Sequence, residues 1–488
     1  MKFTIPKEVS RITETLEKAN FEAFLVGGCV RDLVRGAVPK DWDVTTNAKP
    51  EEIQGLFKDT FYENEYGTVG VLNKEVSDET LKVVEVTPFR LEAKYTNKRH
   101  PDVVTFSGNL KDDLKRRDFT VNAMAYNASK GQLTDIHKGQ EDIKDKIIRA
   151  VGNPENRFDE DALRIMRAIR FATELDFDID PTTGDAIRKY GENLKKIAAE
   201  RIQSEFSRIL MTENPMRGIS LLHEHNTLRL VVPELEEGIG VKQNGDHIYE
   251  VWEHNLRALQ HAATSNWPLI VRLAALFHDI SKPETRQWST EKKDWTFYGH
   301  DVVGGKRARS IMKRLKYSSD ATERVSKLVR WHLFFSDIDT ITLSAVRRLV
   351  RNVGPENVWD LMKVRACDRI GMGRPKEKPY RLRKYEAMIE EAMRAPVSVH
   401  MLKIDGDTIM KITDEKPSPR IGYILHALLE EVLDDPERNV ESYLEQRVLE
   451  FSRLSEKDLE KIGKQGKEKK EEEEEKKITE IRKRHYVK

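Results

Sequence analysis

The chain has 488 residues, 38% of them hydrophobic, with 84 Lys and Arg against 83 Asp and Glu. That is apolar material for about two to four cored domains and excludes a disordered chain; the charge balance excludes a global positive excess, so any nucleic-acid surface must be a local patch. Two cysteines, Cys29 and Cys367, exclude a disulfide framework or thiolate zinc centre, and with neither a secretory signal nor the ~20 apolar residues of a membrane span the expectation is a cytoplasmic enzyme with no membrane partner.

In chain order, Val9, Ile12, Leu16 and Ala19 recur at helical spacing and predict a first helix packed on a sheet. Next comes F-L-V-G-G-C-V-R-D-L-V-R-G-A-V-P-K-D-W-D-V, residues 24 to 44. An apolar run breaks at Gly27-Gly28, a short helix carries Arg31, and a strand is expected to carry Asp41 and Asp43. Strand residues two apart face the same way, so the two carboxylates would point together off one edge, where hard cations can bridge them to a triphosphate. Glycines let backbone N–H groups approach phosphate oxygens, and an arginine adds a fixed fork of donors. Each half alone is more often a plain turn or a solvated strand end. Together, G-G-C-V-R-D followed by K-D-W-D-V resembles the bacterial-type (class II) CCA-adding tRNA nucleotidyltransferase and poly(A) polymerase family, which has a DNA polymerase beta-like head.

The resemblance guides the rest of the head. Asn47 to Ile53 reads as a helix start with Pro50 in its first turn, and strands are expected around Val69-Val71 and over Leu81–Thr87. Glu85 matches the family's third metal-site carboxylate, with an exposed strand glutamate as the alternative. The polar, basic stretch from Arg90 to His100 reads as a mobile loop, which the resemblance associates with addition of A as well as C. Residues 112 to 125 read D-D-L-K-R-R-D-F-T-V-N-A-M-A and match the family's R-R-D-F-T-x-N-A-M-A pattern throughout. There Arg117 is expected to hold the departing triphosphate while Asp118 or Asn122 fixes the local geometry.

Beyond the head, Ala162, Ile165, Met166, Ile169 and Ala172 gather on one helix face and Arg164, Arg167 and Arg170 fan over the adjoining one. A salt-bridged surface would explain this, but the chemistry offers a sharper reading. Cytosine and adenine both present an exocyclic amine beside a ring-nitrogen acceptor, so an Asp acceptor next to an Arg donor pairs with either, whereas uracil and guanine set a carbonyl against the carboxylate. Asp161 and Arg164, the D-x-x-R of the family's E-D-x-x-R motif, take that role, and Arg167 and Arg170 are assigned to phosphate or ribose. Residues 175 to 240 read as a helical neck that meets the RNA acceptor stem through phosphates.

After Gly245 a second set appears: His254, His278-Asp279, His300, His332 and Asp368. Singly each is ordinary, but in this order they resemble the HD phosphohydrolase superfamily, which implies a divalent metal whose identity the residues leave open. Ser281 stands where H-D-I-G-K has glycine. Basic loops and an amphipathic helix from Ser418 resemble the family's tRNA-binding region, and the charged end, with five consecutive Glu from Glu471, reads as solvated helix or disorder.

The expectation is therefore an α+β protein: a polymerase-beta-like head on a mixed sheet over residues 1–150, a helical neck over 151–243, an HD domain over 244–370, a helical tRNA-binding region over 371–453 and a charged tail over 454–488. The resemblance implies addition of C, C and A to the tRNA 3′ end from CTP and ATP with Mg2+ at the head, and fixes no oligomeric state. Poly(A) polymerase and A-only addition share every catalytic residue. A phosphohydrolase with a degenerate head and a non-catalytic RNA-binding protein are further alternatives, which the intact acidic pair and arginine motifs oppose.

Overall fold

The computed structural model describes residues 2–62, 67–93, 103–245, 247–334, 341–394 and 399–487. The chain forms two compact units, Met1–His332 with Lys363–Pro375, and Leu333–Met362 with Lys376–Lys488.

In the first unit, strands β1 (Ala23–Val26), β2 (Asp43–Thr46), β3 (Thr60–Tyr62), β4 (Val69–Leu72), β5 (Val83–Pro88), β6 (Arg90–Ala93), β7 (Val103–Phe106), β8 (Met124–Asn127) and β9 (Gln132–Asp135) precede a helical remainder. Seven of them form one mixed sheet in the order β3-β4-β5-β2-β1-β8-β9. Within it β2 and β5 run parallel and β1 pairs antiparallel with β2. The first helix, Lys7–Lys18, buries Val9, Ile12 and Leu16 completely against Leu25, Val44, Val69 and Val86 of the sheet. Each such side chain contributes roughly 1.5–3 kcal/mol, so the helical spacing read from the sequence is what seats the sheet.

Two expectations change in detail. The strand begins at Asp43, and Asp41 lies in the bend before it. The cause is the partner strand: Val26↔Asp43 is the last pair of the β1–β2 ladder, because Gly27 takes φ 74° and turns the chain into the helix Gly28–Val34. Asp41 thus has no strand to pair with. The stretch expected to be a loop from Arg90 onward opens as a strand, β6 pairing β7; the rest of that loop, 94–102, lies outside the described residues, as does Glu63–Tyr66.

After the sheet in the chain, the helix Leu163–Leu175 packs on Ala199–Leu210 and Pro215–Glu224. Ala162, Ile165, Met166, Ile169 and Ala172 are all fully buried, as their spacing predicts. No described helix is long and apolar enough to cross a membrane.

The second unit is a helical cluster around Ile409, Ile424, Leu428, Leu444, Val448 and Leu459. Its last helix, Glu456–Arg484, is the charged end of the sequence, and it is packed as well as solvated. Leu459, Gly463, Gly466 and Ile481 are buried on it, and it lies along the helix Pro419–Asp434. Four small or apolar positions scattered among 29 residues were hidden by the charge around them. At Gly466 an added Cβ would stand 2.3 Å from the carbonyl oxygen of His426.

Gly466→Ala therefore sets two effects against each other. Better helix propensity favours Ala by about 1 kcal/mol, and forced separation of two backbones costs about 1–3 kcal/mol. Because the obstacle is backbone, the clash should win. Hydrogen exchange in the helix Pro419–Asp434 should quicken in the variant; unchanged or slower exchange would contradict this packing.

Candidate active site

Gly27 and Gly28 form the floor of the first site. A Cβ on Gly27 would lie 3.2 Å from Arg117 Nη1 and 3.3 Å from Asp43 Oδ2; on Gly28 it would lie 3.5 Å from Asp41 Oδ1 and 3.7 Å from Arg31 Nη2. Two carboxylates and two guanidiniums thus close on a pair of residues that have no side chain to displace. Asp41 reaches the same floor from its bend as Asp43 does from its strand. Beside them, Glu85 is the register partner of Asp43 across the parallel β2–β5 pair, so its side chain leaves the sheet on the same face. Three carboxylates supply only oxygen donors, the set that suits Mg2+. Cys29, beneath them, donates its thiol to the Val26 carbonyl at 3.1 Å. Burial and the neighbouring Asp43 push that thiol up to about 12, so it is an inert, small buried group.

Two cavities meet at this floor. One of about 500 Å3 is lined by Asp43, Glu85, Arg117, Asp161, Arg164 and Arg201; the other, about 520 Å3, by Gly27, Gly28, Arg31, Asp41, Arg117 and Arg167. Asp43, Arg117, Asp118 and Arg167 line both. Asp43 and Glu85 therefore face the same cavity as the two residues assigned to the base, and Asp41 faces the adjoining one.

The arginines are held by carboxylates. Arg31 donates to both oxygens of Asp32 at 2.9 and 3.0 Å and to Asn122 Oδ1 at 3.0 Å. Arg116 and Arg117 both donate to the fully buried Asp113, at 2.9 and 3.1 Å. Asp118 accepts from Arg167 at 2.7 Å. Asp113 thus orients Arg117, while Asp118 and Asn122, expected to fix the local geometry, hold Arg167 and Arg31. Burial opposes ionisation of Asp113 and Asp118, yet Arg116 and Arg117 at the first and Arg167 at the second hold both carboxyls below their ordinary range. Asp113 sits three and four residues before its arginines on one helical turn, a spacing the sequence displayed.

Arg170 was assigned to phosphate or ribose. It is 2% exposed and donates to Glu205 at 2.6 Å and Glu174 at 3.0 Å, over the ring of Phe171. Two arms of its fork are thus taken by acids within the protein, and the residue also lines the second cavity beside Arg167.

Asp161 ends the helix Pro154–Glu160 and Arg164 opens the next. Asp161 accepts from the Leu163 amide at 3.0 Å and from Arg201 at 3.1 Å. Arg164 donates to Glu160 at 2.7 Å and to the Arg157 carbonyl at 3.2 Å. Both face the cavity, but each has its own holder. Arg201, read from sequence only as part of the neck, is an added member, and its Nη1 is buried with no hydrogen-bond partner.

A second cluster lies in the helical part of the same unit. Its two groups, His254, His278, Asp279 and Asp368, and Asp279, His300 and His332, bring every residue of the sequence-derived set together, and Asp279 belongs to both. Three ring nitrogens are fixed by local carbonyls: His278 Nδ1 on Ala275, His300 Nδ1 on Phe297 and His332 Nδ1 on Val329, at 2.8, 2.6 and 2.7 Å. Each Nε2 is thereby turned inward, as metal-binding histidines require. His254 Nε2 and His278 Nε2 stand 2.8 Å apart, a contact between lone pairs that needs a proton or cation. Although burial works against it, Asp279 and Asp368 push the His278 imidazole up to about 10. Both oxygens of Asp279 are buried among ring nitrogens, Oδ2 3.0 Å from His254 Nε2 and Oδ1 3.3 Å from His300 Nε2. A site built to hold positive charge with mixed nitrogen and oxygen donors fits a borderline divalent metal. Lys282, unassigned from sequence, places its Nζ 2.6 Å from Asp279 Oδ2.

Three families match. "Poly A polymerase head domain" covers residues 23–149, "Probable RNA and SrmB- binding site of polymerase A" covers 176–239, and "HD domain" covers 245–384. A CCA-adding enzyme of Lactobacillus helveticus is 33% identical over 442 residues, spanning 89% of this chain and 95% of that protein. One from Enterococcus faecalis is 32% identical over 449 residues, spanning 90% and 96%. Among solved structures, the Bacillus stearothermophilus CCA-adding enzyme in complex with CTP superposes with a TM-score of 0.59 at 25% identity, covering 93% of this chain and 100% of that one. The Thermotoga maritima CCA-adding enzyme complexed with tRNA shares the fold, with a TM-score of 0.51 at 18% identity over 92% of this chain and 96% of that one.

Asp113 gives the site a pH signature. A carboxyl whose pKa is lower folded than unfolded stabilises fully above its unfolded value, 3.8, and less as pH falls through the folded one. Removing it leaves two guanidiniums without their anion, so Asp113→Ala should cost about 3–5 kcal/mol at neutral pH. Denaturant titrations of wild type and variant should converge below pH 3.8; a gap independent of pH would contradict the ion-pair account.

Proposed function

Since the chain belongs to the family of CCA-adding enzymes, we propose that Asp41, Asp43 and Glu85 hold its catalytic metal and that Asp161, Arg164 and Arg201 receive the incoming base. The protein adds C, C and A to the 3′ end of tRNA, with CTP and ATP as substrates. Support for the residue assignment comes from one observation above all: the Asp43–Glu85 register pair and the Asp161–Arg201 contact line a single cavity together with Arg117.

When bound at the three carboxylates, Mg2+ supplies Lewis-acid activation of the 3′-hydroxyl and neutralises charge on the triphosphate. The chain's own groups do the rest. Gly27 and Gly28 let the backbone approach the phosphates without a side chain in the way. Arg117, oriented by Asp113, and Arg167, oriented by Asp118, donate to the triphosphate as the 3′-hydroxyl attacks the α-phosphate and pyrophosphate departs. Their partners keep them from reorganising at that moment, which is where such electrostatic stabilisation gains its strength. The base meets Asp161, which gives up its bond to Arg201 to accept the exocyclic amine of cytosine or adenine, while a guanidinium donates to the ring nitrogen. Uracil and guanine would set a carbonyl against the carboxylate and leave it desolvated and unpaired. Selection thus needs no nucleic-acid template.

The His/Asp cluster supports a second activity, metal-dependent hydrolysis of phosphate esters on RNA ends. Its inward nitrogens and the buried Asp279 carboxylate that they surround carry that reading.

The test supplies purified protein with tRNAs ending before C, after C and after C-C, offers each nucleotide singly, and sequences the products. C, C and A should be added in order, and Asp41→Ala or Asp43→Ala should slow addition by at least about a thousandfold. Asp161→Ala should admit UTP or GTP. In the same assay His278→Ala with Asp279→Ala should abolish phosphate release from 3′-phosphorylated RNA and leave nucleotide addition intact. Full activity after loss of Asp43 would overturn the metal assignment, and loss of addition in the double variant would overturn the separation of the two sites.

A further inference from the structure

Between Lys282 and His300, both at the His/Asp cluster, the chain inserts a two-stranded hairpin, Gln287–Ser289 paired with Asp294–Thr296. Its ends are tied to the site. Lys282 Nζ lies 5.7 Å from the Phe297 ring centroid, and the Phe297 carbonyl anchors His300 Nδ1 at 2.6 Å. The hairpin itself is braced from outside by Asn244, whose amide donates to the Trp295 carbonyl at 2.6 Å.

What the hairpin presents is unusual for a connection. Trp288 and Trp295 are register partners, so they share one face, with ring centroids 5.3 Å apart at 77°. Arg286 lies 3.7 Å over the Trp295 ring and covers it, but Trp288 remains 54% exposed. Two residues before His300, Tyr298 is 72% exposed, and its hydroxyl accepts from Lys292 at 2.8 Å. A hairpin serving only to join two helices would turn such rings inward, because an exposed indole forgoes its burial energy. Exposed aromatic faces flanked by Arg and Lys are the composition of surfaces that stack nucleobases and hold their phosphates. The acids Glu291 and Asp294 lie on the same hairpin, so charge alone would not attract RNA; the aromatic faces would.

We propose that this hairpin, with Tyr298, is a nucleobase platform for the His/Asp cluster: it stacks the terminal base of a single-stranded RNA so that the phosphate ester at that end reaches the metal ligands. The proposal rests on the reading of the cluster as a phosphohydrolase and names its substrate class. In the reaction, water adds to phosphorus, the ester P–O bond breaks, the ribose oxygen takes the proton, and inorganic phosphate leaves. Trp288 and Tyr298 touch the base and take no part in bond breaking.

The experiment uses the full chain loaded with Mn2+ and two esters, a 3′-phosphorylated trinucleotide and glycerol phosphate, which has no base. Trp288→Ala and Tyr298→Ala should each lower the ratio of kcat/KM for the trinucleotide over glycerol phosphate by about fivefold or more, through KM. Trp288→Phe, which keeps a ring, should restore it. A second readout is independent of turnover: the trinucleotide should quench tryptophan fluorescence in the wild type, and Trp288→Phe should remove part of that signal. An unchanged ratio in both alanine variants, or no quenching in the wild type, overturns the platform. Quenching with no hydrolysis of either ester by the wild type overturns the phosphohydrolase reading and leaves the platform standing as a binding surface.

Discussion

The functional reading rests on the register in which β2 lies beside β5. Pairing Asp43 with Glu85 across two parallel strands puts two carboxylates on one face, and pairing Asp43 with Val26 ends the neighbouring ladder where Gly27 turns away. A slip of one residue would send Asp43 to the opposite face. Buried valines secure that register: Val44, Val84 and Val86 are fully buried against the helix Lys7–Lys18 side of the sheet. The apolar half of these strands thus sets the position of their acidic half.

Around that edge, positive charge is arranged with little freedom. Arg31, Arg116, Arg117, Arg167 and Arg170 each lean on an acid, namely Asp32, Asp113, Asp118 or Glu205. Burying such pairs contributes little net stability, but it leaves the forks oriented before a substrate arrives. The His/Asp cluster solves a similar problem with different means. Its nitrogens are aimed by backbone carbonyls, and its donor set mixes nitrogen and oxygen, whereas the head offers oxygen alone. One chain therefore carries two clusters whose donor sets suit different metals.

Much of this was legible in the residues. The glycine pair, Asp41 with Asp43, and the R-R-D string gather at one site and the ordered histidines at another. What escaped was the set of partners. Asp113, Asp32 and Glu205 look like surface acids, since a charged residue gives no sign of burial, and Arg201 meets Asp161 across 40 residues of sequence. Whether Asp41 belonged to the strand depended on where β1 ran out, which is a property of the partner and not of Asp41 itself. The last helix was obscured in the opposite way: two of its four buried positions are glycines, and glycine leaves no mark in a hydrophobic pattern.

The most direct measurement is the anomalous scattering of Mn2+ in crystals of the protein grown with a nonhydrolysable CTP analogue and a tRNA lacking its terminal C-C-A. Manganese should lie on the carboxylates of residues 41 and 43, with the cytosine amine facing residue 161 in the same cavity. Manganese bound away from both carboxylates, or the base seated on another wall, would contradict the account.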